Sequence, residues 1–467
     1  MRYKKKLLRL LLVVILLGVT WIIHYAWISF PIISGFNAKQ MCTCMFVSGR
    51  DQKDIDTTDL GEFPLSIATN KINLKDSSVT STVWGMAAKK AIYRKGIGCT
   101  LINEIDEEKL RSQVFIIPSP PTLNTDSLAW PYGDKIAETI SPFIDKNKLD
   151  AAVEEAFTEP HPGKKQRTRA AIVVYDGQLV AEKYAPGFDK SMKMYGWSMA
   201  KSFTGAMIGI LVKQGKLDIK KPAPVPEWSS PEDPRHAITI QNLLQQTSGL
   251  DFLEAYTKAS DVTNMLYKED DMAAYTAGHT LAHPPGTVFN YSSGNSNILA
   301  RIIRQTVGEK DYAGFPFTAL FYKIGMYHTV MEPDASGTYV GSSYINATAR
   351  DYARFGLLYL NNGAWNGEQI LPQDWVKQSV TPVAADPLKN YGYQVWLNGF
   401  DKKHPSRRKD PDVPADMFYC DGFGYEMIYV IPSEKLVVVR LGLTLDRSFD
   451  ENLFLKKIIK SINHPDH

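Results

Sequence analysis

A serine and a lysine stand three residues apart in Gly196-Trp197-Ser198-Met199-Ala200-Lys201-Ser202-Phe203-Thr204-Gly205. The apolar spacing that follows, Phe203, Met207, Ile210 and Leu211, predicts a helix. Positions i and i+3 share a helix face, so Ser198 and Lys201 project together. The positive end of a helix favours negative charge on a nearby oxygen. A desolvated lysine can serve as the base that makes a serine nucleophilic. That chemistry is acyl transfer through a covalent serine ester. Taken alone the pair is weak, because a helix-opening serine with a solvated lysine one turn on has the same spacing.

Two further stretches bear on it. Tyr291-Ser292-Ser293 follows the turn Pro284-Pro285-Gly286 and is expected on a loop. A phenol beside a cationic lysine is stabilised as phenolate, and the pair can relay a proton from Ser198 to a leaving group. The plain alternative is a tyrosine that only packs. Asp421-Gly422-Phe423-Gly424-Tyr425 lies just before, or opens, a strand expected over 425–431. Glycines there allow close approach of a ligand to the backbone, and a free edge could bind an amide-like substrate by strand addition. A backbone N–H at this point, with that of Ser198, would make an oxyanion hole. The plain alternative is a tight turn feeding a strand.

The elements that would carry these residues can be read around them. Residues 146–157 have helical apolar spacing. Residues 171–175 and 179–184 flank Asp176-Gly177 as a hairpin. The Ser198 helix should end near Gln214, stopped by Gly215. Residues 218–378 read as helices and loops, with helices expected at 238–245, 272–276, 297–307 and 347–360. Strands return at 425–431 and 436–441, and an amphipathic helix over 449–462 closes the chain. Strands at both ends with helices between predict an α+β body, its sheet assembled from the two termini.

The N-terminal third reads differently. Arg2, Lys4, Lys5 and Lys6 precede an apolar run over 10–30 in which only His24 can carry charge near neutral pH. As a helix that run spans about 32 Å, near the roughly 30 Å of a bilayer core. Basic residues before the run place the N-terminus in the cytoplasm and the body outside. An uncleaved anchor is expected over 1–33, with a cleaved signal peptide as the alternative. Residues 34–143 are expected to be an N-terminal extension, with a polar loop at 51–59 and strands at 83–93 and 98–102. The enzyme domain is expected over 144–467. Of the four cysteines, Cys42 or Cys44 with Cys99 is the first pairing to test, with free thiols as the alternative. No zinc-like cysteine pair occurs, so no metal site is expected, and the net charge of +3 without a basic stripe does not point to nucleic acid.

The order of Ser198-x-x-Lys201, Tyr291-x-Ser293 and a Gly-rich stretch near Asp421 resembles the penicillin-recognising serine hydrolases. So do the stretches Leu243-Leu244-Gln245-Gln246-Thr247-Ser248-Gly249-Leu250, Ala349-Arg350-Asp351-Tyr352-Ala353-Arg354-Phe355-Gly356 and Trp365-Asn366-Gly367-Glu368-Gln369-Ile370-Leu371-Pro372. The resemblance covers about residues 169–462 and is closest in pattern to 6-aminohexanoate-dimer hydrolases and esterase-like members. It implies a β-lactamase/transpeptidase-like fold: an antiparallel sheet flanked by helices, plus a mostly helical subdomain. It implies Ser198 as acylated nucleophile, Lys201 and Tyr291 as proton relay, and no cofactor. Ser293, Gly422, Phe423, Gly424 and Tyr425 are the expected substrate contacts. Class C β-lactamases carry Lys-Thr-Gly at the third stretch. Its absence here favours an ester or amide over a penicillin or a D-alanyl-D-alanine terminus. The alternatives are a β-lactamase or carboxypeptidase proper, and a catalytically silent sensor or scaffold.

Overall fold

The computed structural model describes residues 2–160, 163–446 and 448–463. The chain divides into two units: residues 1–95, 99–111 and 253–270, and residues 96–98, 112–252 and 271–467. The division differs from the expected boundary at 143. Residues 112–143 belong with the body because Arg354 holds them: its guanidinium donates to the carbonyls of Pro131 and Gly133 at 2.9 and 2.8 Å and lies 4.7 Å over the Trp130 ring.

The first unit is built on one helix, Arg2–Phe46. The apolar run is its exposed first half, with Leu8, Leu12, Ile15, Val19 and Ile22 all on the surface. The helix continues past the expected boundary at 33, since Ser34, Asn37, Ala38, Met41 and Cys42 are buried and pack the unit's core. Phe36 meets Tyr267 of the Asp261–Lys268 helix at 5.5 Å between ring centres. A sheet of β1 (Ala68–Asn73), β2 (Ser78–Val83), β3 (Met86–Arg94) and β4 (Gly98–Ile102), in that order, completes the unit. Cys42 and Cys99 form a disulfide, while Cys44 and Cys420 are buried thiols. The loop expected at 51–59 is instead the helix Gln52–Thr58, started by Asp51, whose carboxylate accepts from the N–H groups of Lys53 and Asp54.

The second unit centres on a six-stranded sheet. Its strands are β5 (Thr168–Tyr175), β6 (Gln178–Tyr184), β12 (Trp396–Leu397), β13 (Phe418–Gly422), β14 (Glu426–Ile431) and β15 (Leu436–Gly442), ordered β12-β13-β14-β15-β5-β6 and antiparallel throughout. Between them come β7 (Met194–Tyr195), β8 (Val330–Met331) and β9 (Ile345–Ala347), which form a small sheet, and the short pair β10 (Ala364–Trp365) and β11 (Glu368–Gln369). Pairing of β15 with β5 joins the two ends of the body, as the strand positions in the sequence require.

Alternation sorts the sheet's two faces. Ile172, Val174, Val437, Val439 and Ile428 face a core shared with the helices Ala200–Lys213 and Ala349–Leu360. Val173, Val438, Tyr429 and Met427 face the helices Lys146–Glu155 and Glu451–Ile459. The Ala349–Leu360 helix lies close enough that a Cβ at Gly356 would sit 2.6 Å from Val437.

Candidate active site

The backbone leading to Ser198 is held on both sides. β7 pairs with β9, and the Gly196 N–H donates to the Ile345 carbonyl at 2.8 Å. Gly196 has no room for a side chain, since a Cβ there would meet the Tyr352 hydroxyl at 2.5 Å. Trp197 then adopts φ +46°, a region bulky residues rarely enter. Its ring stacks on Tyr195 at 4.5 Å, which holds the conformation. The chain passes through a single 3-10 turn, Trp197–Met199, into the helix Ala200–Lys213. Ser198 is therefore partly exposed in the turn before the helix, and Lys201 lies in the first helical turn.

Lys201 is 1% exposed. Its ammonium donates to Ser198 Oγ at 3.0 Å, to Ser293 Oγ at 3.0 Å and to the Ser342 carbonyl at 2.9 Å. It lies 4.8 Å from the centre of the Tyr291 ring. Tyr291, some ninety positions further along the chain, thus shares one site with Ser198 and Lys201. Ser293 departs from expectation. It is the first residue of the helix Ser293–Val307, which starts earlier than position 297 because Ser292 caps it by accepting from the Asn295 N–H. Ser293 is fully buried, and its hydroxyl meets Lys201 rather than an open cleft.

Gln246 fixes the corner that presents Tyr291. Its carbonyl accepts from the Asn290 N–H at 2.9 Å, and its side-chain oxygen accepts from the Ser292 N–H at 3.1 Å and from Asn295 Nδ2 at 2.8 Å. Tyr291 is thereby held at both flanking residues, and Trp396 packs on its ring at 5.2 Å. Asn297 accepts from the Ser342 N–H at 3.1 Å, setting the carbonyl that binds Lys201. Sequence reading did not assign these roles to Gln246, Asn297 or Ser342. Gln246 sits in one of the family-like stretches, whereas Ser342 acts through its backbone and left no side-chain signal.

The third stretch is a hairpin, not a strand start. β13 ends at Gly422, residues 423–425 turn, and β14 begins at Glu426. Gly422 abuts the nucleophile's turn: a Cβ there would lie 2.3 Å from the Gly196 carbonyl. The glycine answers a contact within the protein rather than a ligand. Phe423 is exposed and meets the Trp197 ring edge-on at 5.6 Å. No backbone acceptor among the described residues takes the N–H of Ser198 or that of Phe423. Tyr425 does not join the site. It is in phase with Met427 and Tyr429, so its ring packs on Phe449 on the other face of the sheet. Gly424, at φ +84°, is turned the same way, with its carbonyl held by Arg440 Nη1 at 3.0 Å.

Asp421 lies half-buried beside this contact. Burial pushes its carboxyl up to about 6, against the opposing fields of Lys409 and Lys201.

A family model described as Beta-lactamase matches residues 152–452, a span that takes in every residue of this site. The chain is similar to the 6-aminohexanoate-dimer hydrolase of Paenarthrobacter ureafaciens, with 26% identity over 263 residues, 51% of this chain and 66% of that protein. Among solved structures it resembles a 6-aminohexanoate-dimer hydrolase candidate from Bacillus anthracis, with 25% identity over 74% of this chain and 87% of that chain, at a TM-score of 0.53. It also has the fold of a family VIII carboxylesterase, at 14% identity over 70% of this chain and 99% of that chain, with a TM-score of 0.52.

Proposed function

The chain belongs to the Beta-lactamase family of serine hydrolases, and from that premise we propose that it is a membrane-anchored hydrolase of an ester or amide, working through an acyl-enzyme at Ser198. The observation that carries this reading is the buried Lys201 ammonium 3.0 Å from Ser198 Oγ, beside the Tyr291 ring.

Ser198 Oγ attacks the substrate carbonyl as its proton passes to the Tyr291 phenolate, which the neighbouring Lys201 ammonium stabilises. The oxyanion that forms is received by the N–H groups of Ser198 and Phe423, which no backbone acceptor among the described residues competes for. The relay then passes the proton to the leaving group, and water releases the acyl group by the reverse path. Ser293 and Ser342 hold Lys201 in register through these steps. Residues 419–425 carry no lysine or arginine, which favours substrates without a carboxylate at that point over penicillins. The exposed apolar first half of the long helix supports an anchor, with both units outside the cytoplasm, where a disulfide such as Cys42–Cys99 persists.

A fluorophosphonate probe should label the full-length protein at Ser198, and Ser198→Ala should abolish labelling without loss of fold. Absence of labelling by ester-, amide- and β-lactam-type probes alike would overturn the reading.

A further inference from the structure

The hairpin of β2 and β3 breaks the usual rule for its turn. Val83 pairs with Met86, so Trp84 and Gly85 form a two-residue loop, with φ of +52° and +76°. Such loops favour asparagine followed by glycine, because both positions need positive φ. A tryptophan is strained there, and its side chain is 69% exposed. Met86 beside it is 52% exposed. The strained backbone thus presents two large apolar side chains at the tip, where water disfavours them.

The helix Arg2–Phe46 fixes where this tip lies. Phe46 stacks on Tyr93 at 5.5 Å between ring centres, and Phe30 meets the Trp84 ring edge-on at 5.3 Å. From Phe30 to Phe46 a helix rises about 24 Å. From Trp84 to Tyr93 a strand spans about 30 Å. The hairpin therefore runs along the helix, with its tip level with Phe30. Phe30 is the last residue of the apolar run 10–30, and Trp27, one turn earlier, is exposed. The tip stands where the apolar half of the helix gives way to the folded unit. When that half spans a bilayer, Trp27, Phe30 and Trp84 lie together at its headgroup level. Tryptophan is favoured there, having an apolar ring and a polar N–H.

We propose that Trp84 and Met86 make the hairpin tip a second membrane contact, drawn into the headgroup layer of the bilayer that the helix crosses. The tip holds the first unit against the lipid surface, where a single helix would let it swivel. The assignment rests on the anchor reading of the helix and is independent of the chemistry at Ser198.

Full-length protein in phosphatidylcholine nanodiscs tests it. Cys42 and Cys99 are paired, and Cys44 and Cys420 are buried, so an introduced surface cysteine takes a nitroxide label. Met86→Cys reports on the tip. Leu74→Cys reports on the opposite end of the sheet, where β1 turns into β2, and Val19→Cys on the apolar run. Collision of the label with a water-soluble nickel chelate should be several-fold slower at 86 than at 74. Collision with oxygen, which concentrates in lipid, should be faster at 86. Trp84→Asn in the Met86→Cys background restores the favoured Asn-Gly turn, so the hairpin keeps its fold. It should nevertheless bring the nickel collision rate at 86 back toward that at 74, with thermal unfolding unchanged or raised. Equal nickel rates at 86 and 74, with the Val19 label shielded, would overturn the proposal and leave the anchor standing. Slow collision with both reagents at 86 would put a second copy of the chain on the tip and overturn it too. So would a rate at 86 that Trp84→Asn leaves unaltered, the tip then lying near lipid passively. A Val19 label open to the chelate would instead overturn the anchor reading, and the proposal with it.

Discussion

Gly422 and the Gly196 carbonyl touch backbone to backbone: a Cβ on Gly422 would stand 2.3 Å from that oxygen. This contact couples the end of β13 to the turn that carries Ser198. The same carbonyl accepts from the Met199 N–H at 3.0 Å, so it is already committed to the nucleophile's own 3-10 turn. The N–H groups of Ser198 and Phe423, which no backbone acceptor takes among the described residues, follow this junction in the two segments. Their spacing is set by how closely two glycines pack.

Gly422→Ala should therefore damage acylation more than folding. A methyl has to push β13 off the turn, an overpacking cost of about 1–3 kcal/mol. Thermal unfolding should show a modest loss. The rate of fluorophosphonate labelling should fall by about 10²-fold or more, the scale seen when an oxyanion donor is lost. Labelling at the wild-type rate would mean the junction does not set the site.

Lys201 and Ser293 separate chemistry from positioning. Lys201→Met removes the cation that sustains the proton relay and should abolish turnover with any ester. Ser293→Ala removes one of three acceptors from a buried ammonium, at about 1–3 kcal/mol. It should lower kcat by roughly ten- to a hundredfold while KM stays near its wild-type value. Steady-state kinetics with a p-nitrophenyl ester gives both numbers. An unaltered kcat in Ser293→Ala would show that Ser198 and Ser342 suffice to hold the lysine.

Gln246→Leu should loosen the tyrosine corner. The substitution keeps bulk but removes the side-chain acceptor of Ser292 N–H and Asn295 Nδ2. Two buried donors are then left without it, which should cost about 2–4 kcal/mol in denaturant unfolding. Activity should fall in parallel, because Tyr291 loses its fixed position over Lys201. A Gln246→Glu variant, which keeps the acceptor oxygen, should recover part of the stability.

How much of this was legible in the sequence depends on the range of the interaction responsible. Asp176-Gly177 announced its hairpin because both residues need positive φ, and they adopt +45° and +80°. The Ser198–Lys201 spacing is equally local. Ser293 misled because a capping bond from Ser292 extends the helix backward and turns the hydroxyl inward. Tyr425 misled because strand alternation is counted from Glu426, and a hairpin rather than a strand start reverses the face. The sequence predicts an end near 33 for the long N-terminal helix because its later residues are polar in part. Asn37 and Gln40 are nevertheless buried, bonded to the Leu65 carbonyl and to Asp59. Gln246 and Ser342 could not be found by spacing, since their partners are set by tertiary folding alone.

The Cys42–Cys99 disulfide ties the long helix to β4 across 57 positions. Reduction, or Cys42→Ser, should lower the stability of the first unit by about 2–4 kcal/mol. Differential scanning calorimetry with and without reductant should show a lower transition for that unit. Ester turnover by the second unit, measured at a temperature below that transition, should persist. An unchanged thermogram in reductant would indicate that the helix's buried face alone holds the unit.

Arg440 is the last residue on which the site depends without touching it. It is fully buried on β15 and donates to the carbonyls of Gly424, Tyr425 and Gln166 and to the hydroxyls of Thr168 and Thr444. Burial brings its guanidinium down to about 10, so it stays charged at neutral pH, lying 4.5 Å over the Phe449 ring. The two carbonyls it takes from the turn fix the loop whose other end presents the Phe423 N–H. Lysine keeps the charge but brings three donors on a flexible stem instead of a planar fork. Arg440→Lys should therefore leave at least one turn carbonyl unpaired and destabilise the fold by about 1–3 kcal/mol. It should also slow acylation of Ser198 beyond what the stability loss explains at a temperature where the variant is folded. Stopped-flow acylation beside urea unfolding separates the two effects. A variant that loses stability but acylates at the wild-type rate would show that the Phe423 turn holds its position without Arg440.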